Sequence, residues 1–305
     1  MVQLHPYTIS RVETAVSTEF AESNETYIRR FLVLKQVKGL SERSLKAYEQ
    51  VIRMFFAFID KPLQRVTTDD IRYFLAVKRR NGISGTTADN YLRNLRTFFA
   101  TMHAEDIIQR NPCMKIDAIK RDSQPEDPLT EDEMEDIREA CSLLKTDIER
   151  LRALALIEVL YSTGCRISEV AGMDREDGAR STYVLGKGNK TREVYFNARC
   201  VSALNRYYAV RDDGCKAMFA TIRGANRMGA ESLESIIRTI GDLSIVDGRV
   251  HAHRFRHTTA TTALRKGMPI DQVRVMLGHE DLKTTQIYAT TDKDQVRESH
   301  RKYMG

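Results

Sequence analysis

The side chains able to do chemistry lie in four short stretches, and the last of them poses a geometric problem. In "LGHEDLKTTQIY" (277–288), His279 and Tyr288 stand nine positions apart. On one unbroken helix, nine steps of about 100° put two side chains on opposite faces. Gly278 suits the left-handed residue that ends a helix, and Asp281 suits the cap of a new one, so a break here lets both groups face one place. A tyrosine hydroxyl, whose ordinary pKa is near 10, is a weak nucleophile unless cationic donors surround it or a base takes its proton.

The other three stretches supply such donors. In "TGCRISE", Arg166 and Glu169 are three apart, on one helix face, where a carboxylate braces a guanidinium fork that matches two phosphate oxygens; taken alone, the pair equally reads as a structural ion pair. In "GKGNK", Lys187 or Lys190 occupies the tip of a glycine-rich hairpin that can lay an ammonium on a ligand. The spacing is wrong for a nucleotide-binding loop, and a hairpin follows where that motif needs a helix. In "HAHRFRH", His253, Arg256 and His257 fall at i, i+3 and i+4, and four cationic or near-cationic groups within five residues repel one another unless they await an anion. A helix-turn-helix over 254–277, turning at Gly267, competes for this last stretch. Two arginines, a lysine and two histidines around a phenol form a set able to activate it against a phosphodiester, stabilise the crowded anionic transition state and protonate the departing sugar oxygen. No Cys/His quartet, carboxylate cluster or calcium-type loop stands ready for a metal, so neither metal nor other cofactor is expected.

The chain that must position these groups has 305 residues, 42% hydrophobic and 30% charged, long enough for two domains. Its longest apolar runs fall short of a bilayer span, and its start lacks an apolar signal core, which points to a cytoplasmic, nucleoid-associated protein with no membrane partner. Five cysteines are scattered without C-x-x-C spacing and read as reduced and mostly buried. Net charge is +6, and residues 29–121 carry 19 Lys and Arg against 9 Asp and Glu, a net of +10 that leaves −4 elsewhere. A basic module of this kind suits a phosphate backbone, and equally a solvated helical surface.

After a leader (1–22), capped amphipathic stretches predict four helices over 23–112, with Leu45, Tyr48, Val51, Ile52, Phe55 and Phe56 forming one inward stripe. Three prolines and mixed charge in "NPCMKIDAIKRDSQPEDPLT" (111–130) mark 113–128 as a linker. Over 129–290, helical patterns surround one β-hairpin, "STYVLGKGNKTREVYF", and 291–305 forms a tail. The fold class expected is mainly α with a small β-hairpin or sheet, in two domains.

The ordered set "TGCRISE", "GKGNK", "HxxRH" and "LGHxDxxTTxxY" resembles the tyrosine recombinase, or phage integrase, family, especially its Xer-like and mobile-element members, over about residues 24–290. The resemblance implies a C-shaped clamp made of a helical core-binding domain and a catalytic domain. It further implies catalytic roles for Arg166, Lys187, His253, Arg256, His279 and Tyr288, with Glu169 supporting the first arginine and the family pattern favouring Lys187 over Lys190. The activity implied is site-specific recombination through a 3′-phosphotyrosine and a Holliday junction, without metal or ATP, by a homotetramer on two synapsed duplexes, with accessory DNA-binding factors as further partners. The tail (291–305) would then link neighbouring subunits. Arg43, Lys46, Arg79, Arg80, Arg93, Arg96 and Arg254 are the expected DNA contacts, most of them to phosphate. The leader is too short for an additional arm-binding domain. A type IB topoisomerase, doing the same chemistry on one duplex, and a DNA-binding protein without catalysis are the competing functions.

Overall fold

The computed structural model describes residues 21–120, 127–176, 178–186, 190–223, 225–278, 301 and 304. It divides into two compact units, 1–124 and 125–305.

Among the described residues, four helices build the first unit: α1 (Ala21–Val37), α2 (Glu42–Ile59), α3 (Thr68–Arg80) and α4 (Gly85–Ala104). Their starts follow from local chemistry. Ser41, Thr67 and Ser84 each accept the backbone N–H three residues on, and Asp70 returns the bond to Thr67, so donors that a helix start leaves open are satisfied within the chain. The inward stripes bring Phe31, Phe55, Phe56, Phe74, Phe98 and Phe99 into one core, where the rings meet edge to face at 5.3–5.9 Å, the arrangement that ring quadrupoles favour. Asn24, buried on α1, donates to the Lys61 carbonyl and accepts from the Leu63 N–H, both at 2.9 Å, and so ties α1 to the 3-10 turn Leu63–Arg65.

The segment expected as linker begins later than its prolines suggest. Cys113 is buried in this core, and Ile116 and Ile119 pack against it. The Pro112 and Lys115 carbonyls accept from Thr68 and Arg72, and the Ile116 carbonyl accepts from Arg96. These apolar side chains follow no helical period, yet burying them removes apolar surface from water all the same.

The second unit contains α5 (Glu131–Ser142), α6 (Asp147–Thr163), α7 (Ile167–Gly172), α8 (Ala198–Ala209), α9 (Ala230–Leu243), α10 (Ala252–Arg265) and α11 (Ile270–Leu277), with the antiparallel pair β1 (Ser181–Leu185) and β2 (Thr191–Tyr195). Helix α6 is buried around most of its circumference and forms the centre, with Ala153, Ala155, Leu156, Ile157, Val159 and Leu160 all fully buried. Helices α5, α8, α9 and α10 pack on it. Thr259 fastens α10 to α6 by donating to the Tyr161 carbonyl at 2.8 Å. The hairpin pairs Ser181 with Tyr195 and Leu185 with Thr191, and the Gly186 N–H closes it on the Lys190 carbonyl at 2.8 Å. Alternation along β2 turns Val194 inward and Tyr195 outward.

Candidate active site

The site is assembled where α6 ends. Gly164 caps that helix in the left-handed conformation (φ +60°), and the chain then passes Cys165 into α7. Arg166 is the cap residue of α7 with extended backbone. It meets Glu169 across a capping turn, where sequence spacing alone suggested a shared helix face. An arginine has no acceptor to offer as a cap, so Glu169 does the work: it accepts the Arg166 backbone N–H at 2.8 Å and the Arg166 guanidinium at 3.0 Å. The Arg166 side chain is 39% exposed and that of Glu169 3% exposed, so the turn presents the guanidinium to solvent on a buried carboxylate.

Sequence reasoning missed the residue that holds this carboxylate. Arg192, on β2, forms a fork on Glu169 with both contacts at 2.8 Å. Its Nε donates to the Met276 carbonyl at 3.0 Å, near the end of α11. Burial pushes the Glu169 carboxyl up, but hydrogen bonds from Arg192 and from the Arg166 backbone, with the charges of both arginines, more than reverse this and hold it below the usual carboxylate value. A signal for Arg192 existed. It shares the inward parity of Val194 on β2, and an arginine turned inward demands a buried anion.

Arg256, on α10, is 2% exposed. Two of its donors hold main-chain oxygens at 2.7 Å, those of Gly164 and Leu277, which ties the end of α6 to the end of α11. The Gly164 carbonyl lies two residues before Arg166, so both arginines are built on one turn. His253, a helical turn before Arg256, is exposed, and its ring stacks on that of His251, the cap of α10, with centroids 6.5 Å apart. Partial desolvation, then the charges of Arg256, His251, His257 and Arg166, hold the His253 imidazole below the ordinary histidine value of 6.5. Neutral His253 can therefore accept a hydrogen bond or a proton near pH 7.

Lys187, His279 and Tyr288 lie outside the described residues, as do 279–300 as a whole. Among the described residues, Arg166, Glu169, His253 and Arg256 come together, and no three His, Cys, Asp or Glu side chains gather as metal ligands.

The expected DNA contacts divide. Arg43, Arg79, Arg80 and Arg93 are exposed, Arg93 pairing with Asp89 at 3.2 Å and exposed Lys46 with Glu42 at 3.0 Å. Arg96 is half-buried on the Ile116 carbonyl. Arg254 is buried, and its guanidinium holds the Asp127 and Asp247 carbonyls and Glu133. Lying one position after His253 on α10, it clamps the start of the second unit.

Comparison with known proteins settles the family. The model of the phage integrase family matches residues 127–295, more than half of the chain, and that of the phage integrase N-terminal SAM-like domain matches 27–109. The chain belongs to the phage integrase family of tyrosine recombinases. This recombinase is 30% identical over 289 residues to tyrosine recombinase XerC of Leptospira interrogans serovar copenhageni, covering 92% of this chain and 93% of that protein. Two solved structures share its fold. One is the Tn1549 transposon integrase in complex with transposon right end DNA, with TM-score 0.73, 20% identity and coverage of 91% and 99%. The other is the XerH site-specific recombinase bound to a palindromic difH substrate, with TM-score 0.69, 19% identity and coverage of 95% and 86%. As a tyrosine recombinase, the chain is an enzyme of site-specific DNA recombination. No described helix is long and apolar enough to cross a membrane.

Proposed function

We propose that this recombinase cuts and rejoins double-stranded DNA through Tyr288. The Tyr288 oxygen attacks a backbone phosphorus, the bond from phosphorus to the 5′ oxygen breaks, and a 3′-phosphotyrosine and a 5′-hydroxyl result. The proton taken up by the departing oxygen comes from Lys187, and the phenol proton passes to a neutral histidine or to solvent. Attack by the 5′-hydroxyl of a partner strand reverses the step, conserves the bond energy and leads through a Holliday junction to recombinants. Arg166 and Arg256 stabilise the charge that grows on the phosphoryl oxygens; His253 and His279 position or relay protons. Neither a metal nor a nucleotide cofactor takes part in this step.

The observation that carries this reading is the shared footing of the two arginines, since Arg256 holds the carbonyl of Gly164, two residues from Arg166. A fixed guanidinium needs no reorganisation as charge develops. Exchange between two duplexes is assigned to a homotetramer, with residues 291–305 as the segment passed between subunits and accessory factors as further partners. Residues 23–112 act as the core-binding domain and 129–290 as the catalytic domain, in the cytoplasm, serving integration, excision, inversion or resolution. Kinship with a transposon integrase's fold favours a mobile-element setting.

The test uses nicked duplexes tiled across the DNA that flanks the coding sequence, with inverted repeats tried first. The wild-type chain is expected to become covalently trapped on one of them, whereas Tyr288→Phe binds the same duplex and forms no adduct. An adduct with Tyr288→Phe removes this nucleophile. Mixing two labelled duplexes then separates strand exchange from the relaxation of one duplex that a topoisomerase would give.

A further inference from the structure

One side chain outside the proposed catalytic set joins three of the elements that carry it. We propose that Arg192 is a positioning residue for strand cleavage: it locks the α7 cap that aims Arg166 to the end of α11, where the chain runs on toward His279. This rests on the reading of Arg166 and Tyr288 given above.

All three nitrogens of the guanidinium are engaged. Nη1 and Nη2 form the fork on Glu169 and Nε holds the Met276 carbonyl, while only 12% of the side chain is exposed. A lysine offers one compact charge in place of a planar, directed fork and cannot hold both partners at once. Glu169 is in turn the acceptor for both the backbone and the guanidinium of Arg166, so a shift of the carboxylate is a shift of the arginine. The backbone at the end of α11 is shaped to this side chain. At Gly278, which has φ +66°, an added Cβ would lie 3.0 Å from Arg192 Cδ and 3.2 Å from its Nε. Glycine there lets the guanidinium reach the end of α11. The β2 strand that bears Arg192 also begins directly after the "GKGNK" tip that carries Lys187.

Tm is measured for the full chain, its Arg192→Lys and Glu169→Gln variants and the double variant, and single-turnover attachment and affinity for the trapping duplex are then compared at one temperature well below the lowest Tm. Both single variants are expected to attach at least about tenfold more slowly at saturating duplex, with Kd within about threefold of wild type, because misplacement of a group acts on the transition state more than on binding. The double variant should be no slower than the slower single, as two residues acting through one contact require. Glu169→Gln, nearly isosteric, keeps the question answerable if Arg192→Lys does not fold. Wild-type attachment by Arg192→Lys, a loss confined to Kd, or losses that multiply in the double variant would each overturn the assignment. Tyr288→Phe runs alongside: an adduct there removes the nucleophile reading, whereas no adduct there together with a wild-type rate for Arg192→Lys removes only this inference.

Discussion

Charge and burial decide what each side chain at the site can do. His253 is held below the ordinary histidine value by partial desolvation and then by Arg256, His251, His257 and Arg166, so the folded chain binds that proton more weakly than the unfolded chain. By linkage, the stability associated with neutral His253 is present above 6.5, the ordinary value, and is lost as pH falls from there through the lowered folded value. An NMR titration of the DNA-free protein should place the His253 midpoint below 6.5, and His251→Gln should move it upward. A midpoint at or above 6.5 would overturn the lowering, and one well above neutral pH would remove the neutral acceptor from the mechanism. Residue types exposed much of this in the sequence, where Arg166, His253 and Arg256 announce themselves by charge and spacing. Arg192 and Arg254 did not, because one letter serves for every guanidinium whatever it holds. Their partners, Glu169 and Met276 in one case and Asp127, Asp247 and Glu133 in the other, come from stretches distant in sequence.

At the scale of elements, the site is a meeting of helix ends, and glycines set how closely they meet. Gly164 has φ +60°, and a Cβ there would fall 2.7 Å from Leu277 Cδ2, whereas Gly267, between α10 and α11, has φ +88° and nothing within 4 Å of such a Cβ. Gly267→Ala should therefore cost about 1–2 kcal/mol, the backbone strain alone. Gly164→Ala adds overpacking and should cost about 2–5 kcal/mol in all. Urea unfolding of the two variants checks this, and equal losses would show that the approach of α6 to α11 is not tight. Capping signals made the helix starts legible, since Ser41, Thr67, Ser84, Thr130 and Thr146 each accept the third backbone N–H on. The Arg166 turn was harder to read. Its cap has no acceptor of its own, and the carboxylate that closes it depends on a strand distant in sequence.

Across the whole molecule, charge is divided along the chain. The net +10 of residues 29–121 belongs to a stretch with its own aromatic core, and phosphate contacts made by its exposed bases would give affinity without sequence choice. Replacing Arg43 and Arg80 together by Gln should weaken duplex binding about equally for all sequences and make the slope of log affinity against log salt shallower by about 2. An unchanged slope would place the phosphate contacts elsewhere. The partition of charge was plain in the sequence. The exact hand-over between units was not, because Cys113, Ile116 and Ile119 return to the first core without a period that marks them as anything but linker.

The clasp on α11 has an evolutionary side. Arg192 and Arg256 grip the oxygens of Met276 and Leu277, and these belong to the main chain, which every amino acid shares. Replacement of the Met276 side chain therefore leaves the grip intact, while a lost guanidinium cannot be restored by any compensating change at the acceptor. As far as the grip is concerned, tolerance to inherited change is thus one-sided, allowed at the gripped oxygens and withheld from the two residues that grip them.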